Sequence, residues 1–372
     1  IIIKELKLNM IKFYSIKKSD AKISYKILNS IKKIINKNNF ILGEEVFNFE
    51  KSFSKYCGSK YSISCGNGTD ALTIALLSLN LKSGSEVIIP AMTYASTFYS
   101  ILNAKLKPIL VDINSNDPLI NFDKMNEKIT KKTRVIMPVH LYGSVVDLKK
   151  LRSIIKNKNI FIVDDCAQAH GAYFSCGKRV GSGSYADIST FSLYPGKNLG
   201  AYGDAGIITT NNPTFAKRMS SIRNIGALKK FDHNTIGLNS RLDTIQAVIL
   251  SHKINRLDIL NNKRLIIAKK YFSYINNNKI KFLDYSKKAV FHQFVIRTQY
   301  RKKLTNYLMD NGIEFGLHYP HSINQMNFFI KNFGLKNYIN ADTLASECIS
   351  LPIDPMLTSR EVSYIIKTIN SF

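Results

Sequence analysis

Seven short apolar runs that alternate with helical stretches constrain the fold of this 372-residue chain more than any other feature. Most of the runs are continuous rather than alternating, which is typical of strands that helices cover on both faces. The pattern therefore predicts an α/β protein whose seven strands form one broad, mostly parallel sheet. The predicted strands span residues 61–66, 86–91, 107–113, 134–143, 160–165, 188–194 and 205–210.

A change of texture after the seventh run predicts a second domain. Residues 237–275 form a long helical segment rich in Lys and Leu, and shorter elements follow around residues 291–298. A chain of this length can hold one large and one small domain. We expect a large domain over residues 13–252 and a smaller α+β domain over residues 253–372.

The basic composition does not by itself predict a nucleic-acid or membrane partner. The formal net charge is +27, but the basic residues come as scattered doublets without a block of five or six. We therefore expect neither partner. Five cysteines without Cys-x-x-Cys spacing indicate free thiols in a reducing compartment and no metal site. The N-terminal apolar run is too short for a signal peptide, so a cytoplasmic protein is expected, with Met10 as a candidate start.

Lys197 lies between two glycine-rich turns, directly after the sixth predicted strand. Loss of hydration lowers the pKa of an amine, and the neutral amine can attack a carbonyl to form a Schiff base. In a chain this rich in lysine, a single lysine is otherwise an ordinary solvated group. The interpretation of Lys197 therefore depends on what the sheet brings next to it.

Three other segments place chemical groups where predicted strands end. Gly68 and Thr69 open a helix and predict a phosphate cradle, with an ordinary capped turn as the alternative. Asp164 and Asp165 end the fifth strand at the edge where open α/β sheets bind ligands. We expect one of these two acids to be a solvated loop residue. Tyr94 leaves the second strand and either stacks on a planar ring or belongs to the core.

A phosphate cradle, an aromatic plate, an acid and a lysine on one α/β sheet are the parts that hold pyridoxal phosphate. Ordered motifs run from about residue 13 to the C-terminus and include GNGTDAL, PAMTYAST, VDDCAQAHGA, FSLYPGKNLGAYGDAG and GLNSRLDTIQAVIL. On these motifs the chain resembles the DegT/DnrJ/EryC1/StrS family of nucleotide-sugar aminotransferases. The resemblance implies the type I fold of pyridoxal-phosphate enzymes and a homodimer with shared active sites.

The resemblance also implies roles for individual residues. Lys197 matches the Schiff-base lysine, and Asp165 matches the acid that pairs with the ring nitrogen of the cofactor. The phosphate ligands that it implies are Gly68, Thr69 and Ser192, and the stacking aromatic is Tyr94. Gln168 matches a residue near the ring hydroxyl, and Asn239 matches an asparagine that reaches the phosphate from the neighbouring subunit. His318, Tyr319 and His170 are substrate candidates, although either histidine can equally be structural. No metal is implied.

Two positions depart from the family pattern without removing a chemical group. Cys166 stands where the family usually has Ala, and Ala205 stands where it usually has Gly. The implied reaction moves the amino group of L-glutamate to a nucleotide-linked ketosugar, with Lys197 as general base and acid. The motifs GNGTDAL and HYP are more similar to members that act on 3-ketosugars. A 3-keto-6-deoxyhexose and a role in cell-surface polysaccharide are therefore favoured, while a 4-ketosugar and a 3-keto-uronate stay open.

Three other classes are less consistent with the sequence. A sugar-dehydrating branch of the same family carries His where this chain has Lys197. A cysteine desulfurase needs a cysteine on a mobile loop, whereas Cys348 lies in an apolar, strand-like run. A non-enzymatic regulatory protein that binds DNA would show a clustered basic face, which the sequence lacks.

Overall fold

The computed structural model describes residues 10–156, 159–229 and 231–372, so the predictions about the extreme N-terminus lie outside the described residues. Seven strands form the main sheet: β1 Tyr61–Cys65, β2 Glu86–Pro90, β3 Lys107–Val111, β4 Thr133–Ile136, β5 Phe161–Asp165, β6 Ile188–Ser192 and β7 Gly206–Thr210. Their spatial order is β1-β7-β6-β5-β4-β2-β3. Only β7 runs antiparallel to its neighbours. The predicted α/β class with one mostly parallel seven-stranded sheet is confirmed.

The fourth strand is shorter than predicted. The apolar run over 134–143 is a strand only over Thr133–Ile136, and Leu141–Gly143 form a short 3-10 turn. Pro138 interrupts the run, and because proline has no N–H, it cannot donate to a neighbouring strand. Beyond Pro138 the pairing with β5 continues only as an isolated bridge between Val139 and Asp165, and the chain then turns at the edge where the polar residues gather.

Helices cover both faces of the sheet. Those that precede the last third of the chain are α1 Ile16–Asp20, α2 Ser24–Lys37, α3 Glu44–Cys57, α4 Gly68–Ser78, α5 Ala95–Asn103, α6 Phe122–Glu127, α7 Leu148–Ile154, α8 Pro213–Ile222 and α9 Thr244–Ile254. A small β-hairpin, β8 Ala227–Lys229 and β9 Asp232–His233, lies between α8 and α9. Successive residues of one strand join different cores: Val87 and Ile89 belong to one apolar cluster and Ile88 to the other. This burial on both faces explains why the strands read as continuous apolar runs.

The last third of the chain builds a second, smaller sheet. Strands β10 Lys281–Phe282, β11 Phe294–Arg297 and β12 Cys348–Leu351 are antiparallel and adjoin in that order. The helices here are α10 Leu257–Tyr274, α11 Arg301–Asp310, α12 Asn327–Phe333, α13 Ile339–Glu347 and α14 Ser359–Asn370, and a 3-10 turn spans Ile323–Gln325. A third apolar cluster joins the small sheet to α10 and α14. Cys348 is buried in β12, as its apolar surroundings predicted.

The helical segment predicted over 237–275 is two helices rather than one. Helix α9 begins only at Thr244, and a turn at Asn255 and Arg256 separates it from α10. The predicted domain limit at residue 252 lies inside α9, and the two domain ranges stay a prediction. Among the described residues no helix combines the length and the apolar character needed to cross a bilayer.

Candidate active site

Four parallel strands bring their carboxyl ends to one edge of the main sheet. Gly68 follows β1, Tyr94 follows β2, Asp165 ends β5 and Ser192 ends β6. Because β7 runs the opposite way, the loop that carries Lys197 leaves and re-enters the sheet at this same edge. The topology therefore gathers residues that are far apart in sequence, at the position where open α/β sheets bind ligands.

The first turns of α4 and α5 and the end of β6 bring several hydrogen-bond donors close together. A Cβ added to Gly68 would lie 2.6 Å from the Cβ of Ser192, so the first turn of α4 touches β6 directly. The Thr69 hydroxyl lies 2.7 Å from the hydroxyl of Ser96, in the first turn of α5. Among the described residues the backbone N–H groups of Gly68 and Thr69 have no acceptor. Unpaired amides at a helix start, with hydroxyls around them, suit a phosphate group.

Asp165 is a buried carboxylate held by two donors. It is 4% exposed, and it accepts hydrogen bonds from the Thr97 hydroxyl at 2.9 Å and the Ala167 N–H at 3.1 Å. Burial raises the pKa of this carboxyl, while the two donors and the charge of Lys197 oppose the rise. The Thr97 hydroxyl also lies 2.8 Å from that of Thr93. The sequence analysis missed Thr97, although it lies three residues after Tyr94 in the same motif.

Asp164 is not the solvated loop acid that the sequence analysis expected for one of the pair. It is 0% exposed and lies inside β5, where successive side chains point to opposite faces of the sheet. Its Oδ2 lies 3.2 Å from Nε2 of His140, whose Nδ1 accepts the N–H of Val146 at 3.0 Å. With Nδ1 as acceptor, His140 is neutral and donates from Nε2 to Asp164. The carboxylate of Asp164 is thus used within the core and not at the ligand edge.

Cys166 completes a close group with these two residues, but the group does not suit a metal ion. Ligand atoms of His140, Asp164 and Cys166 all lie within 4.8 Å of one another. Both ring nitrogens of His140 are already committed, one as acceptor and one as donor, so the ring offers no lone pair to a cation. Burial also raises the pKa of the Cys166 thiol well above its ordinary value, which keeps it protonated.

Lys197 has the electrostatic character of a reactive amine. Although the residue keeps part of its surface exposed, burial lowers the pKa of the amine to about 8, and the charge of Asp165 only partly opposes this. About a tenth of such an amine is neutral at pH 7, against about one part in three thousand for an ordinary lysine. The sequence prediction of a crowded, activated amine at this position agrees with this environment.

Gln168 connects the loop after β5 with the substrate candidates in the segment between α11 and α12. Its Oε1 accepts the N–H of Tyr142 at 2.6 Å, and its Nε2 donates to the hydroxyl of Tyr319 at 2.9 Å. The ring of Tyr319 lies 5.4 Å from that of Tyr94, tilted by 40°. The Tyr142 hydroxyl donates to the carbonyl of His318. Tyr94, Gln168 and Tyr319 therefore lie together.

The two histidines that were predicted to contact substrate are both neutral near pH 7. Nδ1 of His318 lies 2.8 Å from the Ser350 hydroxyl, and burial lowers the pKa of His318 to about 4. His170 is 1% exposed, packs against the ring of Phe191 and has no hydrogen-bond partner for either ring nitrogen among the described residues. Burial lowers the pKa of His170 to about 3. Contact of either residue with substrate stays a prediction.

Asn239 is exposed and makes no hydrogen bond to the phosphate cradle within the described residues. Its neighbour Ser240 accepts the N–H of Gly66 at 3.0 Å and donates to Asp70 at 2.6 Å, and Asp70 belongs to the first turn of α4. Through Ser240 the segment thus contacts the start of α4 in its own chain. The role of Asn239 in a neighbouring subunit stays a prediction.

The sequence analysis did not predict a chain of hydrogen bonds that lies next to Lys197 and runs in one donor-to-acceptor direction. Nδ1 of His292 donates to Asn198 at 3.0 Å, Asn198 donates to Asn261 at 2.8 Å, and Asn261 donates to the carbonyl of His170 at 2.8 Å. The chain connects α10 and the approach to β11 with the loops after β5 and β6. The one sequence signal for this hydrogen-bond chain was that Asn198 directly follows Lys197.

A mostly parallel sheet with a lysine, a buried acid and an amide-lined cradle at its carboxyl edge is the arrangement of type I pyridoxal-phosphate enzymes. The sequence model of the DegT/DnrJ/EryC1/StrS aminotransferase family matches residues 21–370, and the chain belongs to this family. It is an aminotransferase that uses pyridoxal phosphate.

Individual relatives match over almost their full length. The chain is 38% identical over 365 residues to the dTDP-3-amino-3,6-dideoxy-alpha-D-galactopyranose transaminase of Aneurinibacillus thermoaerophilus, covering 98% of this chain and 99% of the relative. The crystal structure of DesV from Streptomyces venezuelae superposes with a TM-score of 0.94 at 32% identity, covering 97% and 98% of the two chains. The structure of NtdA from Bacillus subtilis with bound PMP gives a TM-score of 0.88 at 28% identity, covering 98% and 86%.

Proposed function

We propose that this aminotransferase moves an amino group from L-glutamate to a nucleotide-linked 3-keto-6-deoxyhexose, and so makes a 3-amino sugar for cell-surface polysaccharide. The observation that carries the choice of sugar is the 38% identity, over nearly the whole of both chains, to a transaminase named for a dTDP-3-amino-3,6-dideoxy sugar. The 4-ketosugar and the 3-keto-uronate remain the alternatives for the test to decide.

The residues at the carboxyl edge fit pyridoxal phosphate. The unpaired amides of Gly68 and Thr69 and the hydroxyl of Ser192 offer donors to its phosphate. Asp165 offers a buried carboxylate to its ring nitrogen. When bound, the cofactor supplies an electron sink that stabilises negative charge on the reacting carbon of a substrate. We assign the stacking position to Tyr94, and Gln168 to the neighbourhood of the ring hydroxyl.

Lys197 performs the proton transfers of the reaction. A general acid and base works best when its pKa lies near the working pH, and burial has brought the pKa of Lys197 to about 8. Asp165 keeps a negative charge close to this amine and opposes part of that lowering. The chain thus provides one group that both accepts and returns a proton near neutral pH.

The sugar is expected on the side of the site where the segment between α11 and α12 contributes side chains. Tyr319 and His318 lie in the segment before α12 and contact Tyr94 and Tyr142, which follow β2 and β4. Since His318 is uncharged near pH 7, it can hydrogen-bond to a sugar hydroxyl without attracting an anion. The excess of basic residues over the whole surface favours approach of a nucleotide diphosphate.

The proposed assembly is a homodimer in which Asn239 of each chain completes the phosphate cradle of the other. Its exposure in the single chain leaves it available for such a contact. The adjoining hairpin carries Leu228 and Phe231, which are exposed apolar residues and are typical of an interface.

The experiment is a two-stage assay on the purified holoenzyme. Glutamate should bleach the visible absorbance of the lysine-bound cofactor. A nucleotide 3-ketosugar, but not a nucleotide 4-ketosugar, should then restore it. Mass spectrometry and NMR of the product identify the aminated carbon. Lys197→Ala is the inactive control. An enzyme that responds to glutamate but aminates none of the 3-ketosugars would refute the proposed substrate.

A further inference from the structure

Three buried polar side chains lie next to Lys197 and take no part in the proposed cofactor contacts. Asn198, Asn261 and His292, here called the amide–imidazole network, are all buried. They come from three separate elements: the turn after β6, helix α10 and the segment before β11. Because burial of a polar side chain is costly unless hydrogen bonds satisfy it, the partners of these three indicate what they hold in place.

Two backbone carbonyls fix the direction of every hydrogen bond in the network. The amide nitrogen of Asn261 donates to the carbonyl of His170 at 2.8 Å, so its Oδ1 accepts from Nδ2 of Asn198 at 2.8 Å. The same Nδ2 lies 3.3 Å from the carbonyl of Val290, which can only accept. Oδ1 of Asn198 therefore faces Nδ1 of His292, at 3.0 Å, and Nδ1 must carry the proton.

His292 is thus a neutral donor with one defined tautomer. Burial lowers the pKa of His292 well below its ordinary value, and the charge of Lys197 lowers it further. The ring donates to Asn198 without placing a second positive charge beside the reactive amine. Since Asn198 accepts one hydrogen bond and donates two, its side chain cannot rotate without breaking them.

Helix α10 also holds the loop that follows β5. Asp258, three residues before Asn261, pairs with Arg179 at 2.7 Å, and Arg179 donates to the carbonyl of Gly171 at 3.2 Å. Asn261 takes the carbonyl of the residue before that glycine. A Cβ added to Gly171 would lie 2.8 Å from Nδ2 of Asn261, so the helix and the loop are in direct contact. Asn261 therefore joins the loop after β5 to the turn after β6.

We propose that the amide–imidazole network consists of positioning residues that hold the turn of Lys197 in place for proton transfer; this rests on the proposed role of Lys197 as the reactive amine. Within that turn the N–H of Lys197 donates to the carbonyl of Tyr194 at 2.9 Å, and the next side chain, Asn198, anchors it to α10. Proton transfer requires its partners within hydrogen-bond reach, and a misplacement of about 1 Å can cost about 10²-fold in rate.

The polar character of the network favours positioning over simple packing. Apolar side chains of similar size would fill the same space without the cost of burying amides and an imidazole. A hydrogen-bonded network instead fixes one geometry, because each member has a single arrangement in which its donors and acceptors are paired. In this chain that geometry includes the residue directly after Lys197 and the loop directly after Asp165.

The kinetic test compares two substitutions of one histidine in the holoenzyme. His292→Leu removes the donor, whereas His292→Asn keeps an amide nitrogen where Nδ1 stood. His252→Leu is the matched control, because His252 lies on α9 and contacts Ser30 at 3.0 Å, away from the site. The rate at which glutamate bleaches the visible band is measured in a single turnover, over a range of glutamate concentrations. This separates the limiting rate from the half-saturating concentration.

The limiting rate should fall about ten- to a hundredfold in His292→Leu, while the half-saturating glutamate concentration changes less than about twofold. His292→Asn should return the rate to within about threefold of the wild type, and His252→Leu should match it. Equal losses in His292→Leu and His292→Asn, or a loss confined to the half-saturating concentration, would overturn the proposal.

Hydrogen exchange provides a measurement without turnover, on the full-length protein freed of cofactor. The backbone amides of Lys197 and Ala201 are hydrogen-bonded within the turn. They should exchange about tenfold faster in Asn261→Ala than in the wild type, because the open turn no longer loses the contact with α10. Asn262→Ala, an exposed neighbour on the same helix, should leave their exchange unchanged. The same exchange rate in Asn261→Ala and the wild type would contradict the proposal.

The wild type alone covers the case in which the variants do not fold. Its Lys197 amide should exchange at least about a hundredfold slower than amides of exposed loops, and an unprotected amide would overturn the proposal directly. Activity in Lys197→Ala would refute the role of the amine itself. Because hydrogen exchange does not depend on that role, the two failures are distinguishable.

Discussion

Replacing Asp165 by Asn should abolish most of the activity while leaving the fold intact. The substitution keeps the shape of the side chain and can keep both contacts: the new Oδ1 accepts the Ala167 N–H, and the new amide donates to Thr97. Thr97 can then donate to Thr93, which lies 2.8 Å away. Since every polar group retains a partner, the free energy of unfolding should change by less than about 1 kcal/mol.

The cost to catalysis is much larger because a buried negative charge disappears. Removing one member of a buried, oppositely charged pair typically costs about 3–5 kcal/mol, which corresponds to a rate loss of about 10²- to 10⁴-fold. The assay is the single-turnover rate at which glutamate bleaches the visible band. Thermal unfolding followed by circular dichroism checks that the fold is unchanged.

The neighbouring Asp164 provides a matched control. Asp164→Asn keeps an acceptor for Nε2–H of His140 and should change the bleaching rate only a few-fold. Asp164→Ala leaves that buried donor unsatisfied and should lower the free energy of unfolding by about 1–3 kcal/mol. A slower rate in Asp164→Asn than in Asp165→Asn would refute the assignment of the two carboxylates.

Three further outcomes are expected. The rate at which the apoprotein captures pyridoxal phosphate should increase about tenfold per pH unit up to about pH 8 and then level off. Only the neutral amine of Lys197 reacts, and its pKa is lowered to about 8. A rate that still increases past pH 10 would contradict this. Gly68→Ala should weaken binding of pyridoxal phosphate at least about tenfold but not that of pyridoxal, since the added Cβ would lie 2.6 Å from the Cβ of Ser192. Mixing Lys197→Ala with Asn239→Ala chains should restore activity at limiting cofactor, and no recovery after proven subunit exchange would exclude a shared site.

The strands and the ligand edge were predictable because both depend on simple periodicity. Strands buried on both faces read as continuous apolar runs. The ends of parallel strands meet at one edge, and Gly68, Tyr94 and Ser192 all lie at this edge. The predicted fourth strand was too long because apolar residues continue past Pro138, where the regular ladder of hydrogen bonds is interrupted. Periodicity alone does not report that missing donor.

The partners of buried polar groups were not predictable from local sequence. Asp164 was expected in solvent because charged residues are rarely buried without a partner, and its partner His140 lies 24 residues earlier. The hydrogen bond between His292 and Asn198 spans 94 residues.

The titration of the site near neutral pH therefore belongs to Lys197 and not to His170 or His318. Burial lowers the pKa of His170 to about 3 and that of His318 to about 4, so both stay neutral through the physiological range. Asp165 raises the pKa of Lys197 against the effect of burial. Removing that charge in Asp165→Asn should hence move the rise of cofactor capture to lower pH, whereas a histidine base would leave its midpoint unchanged.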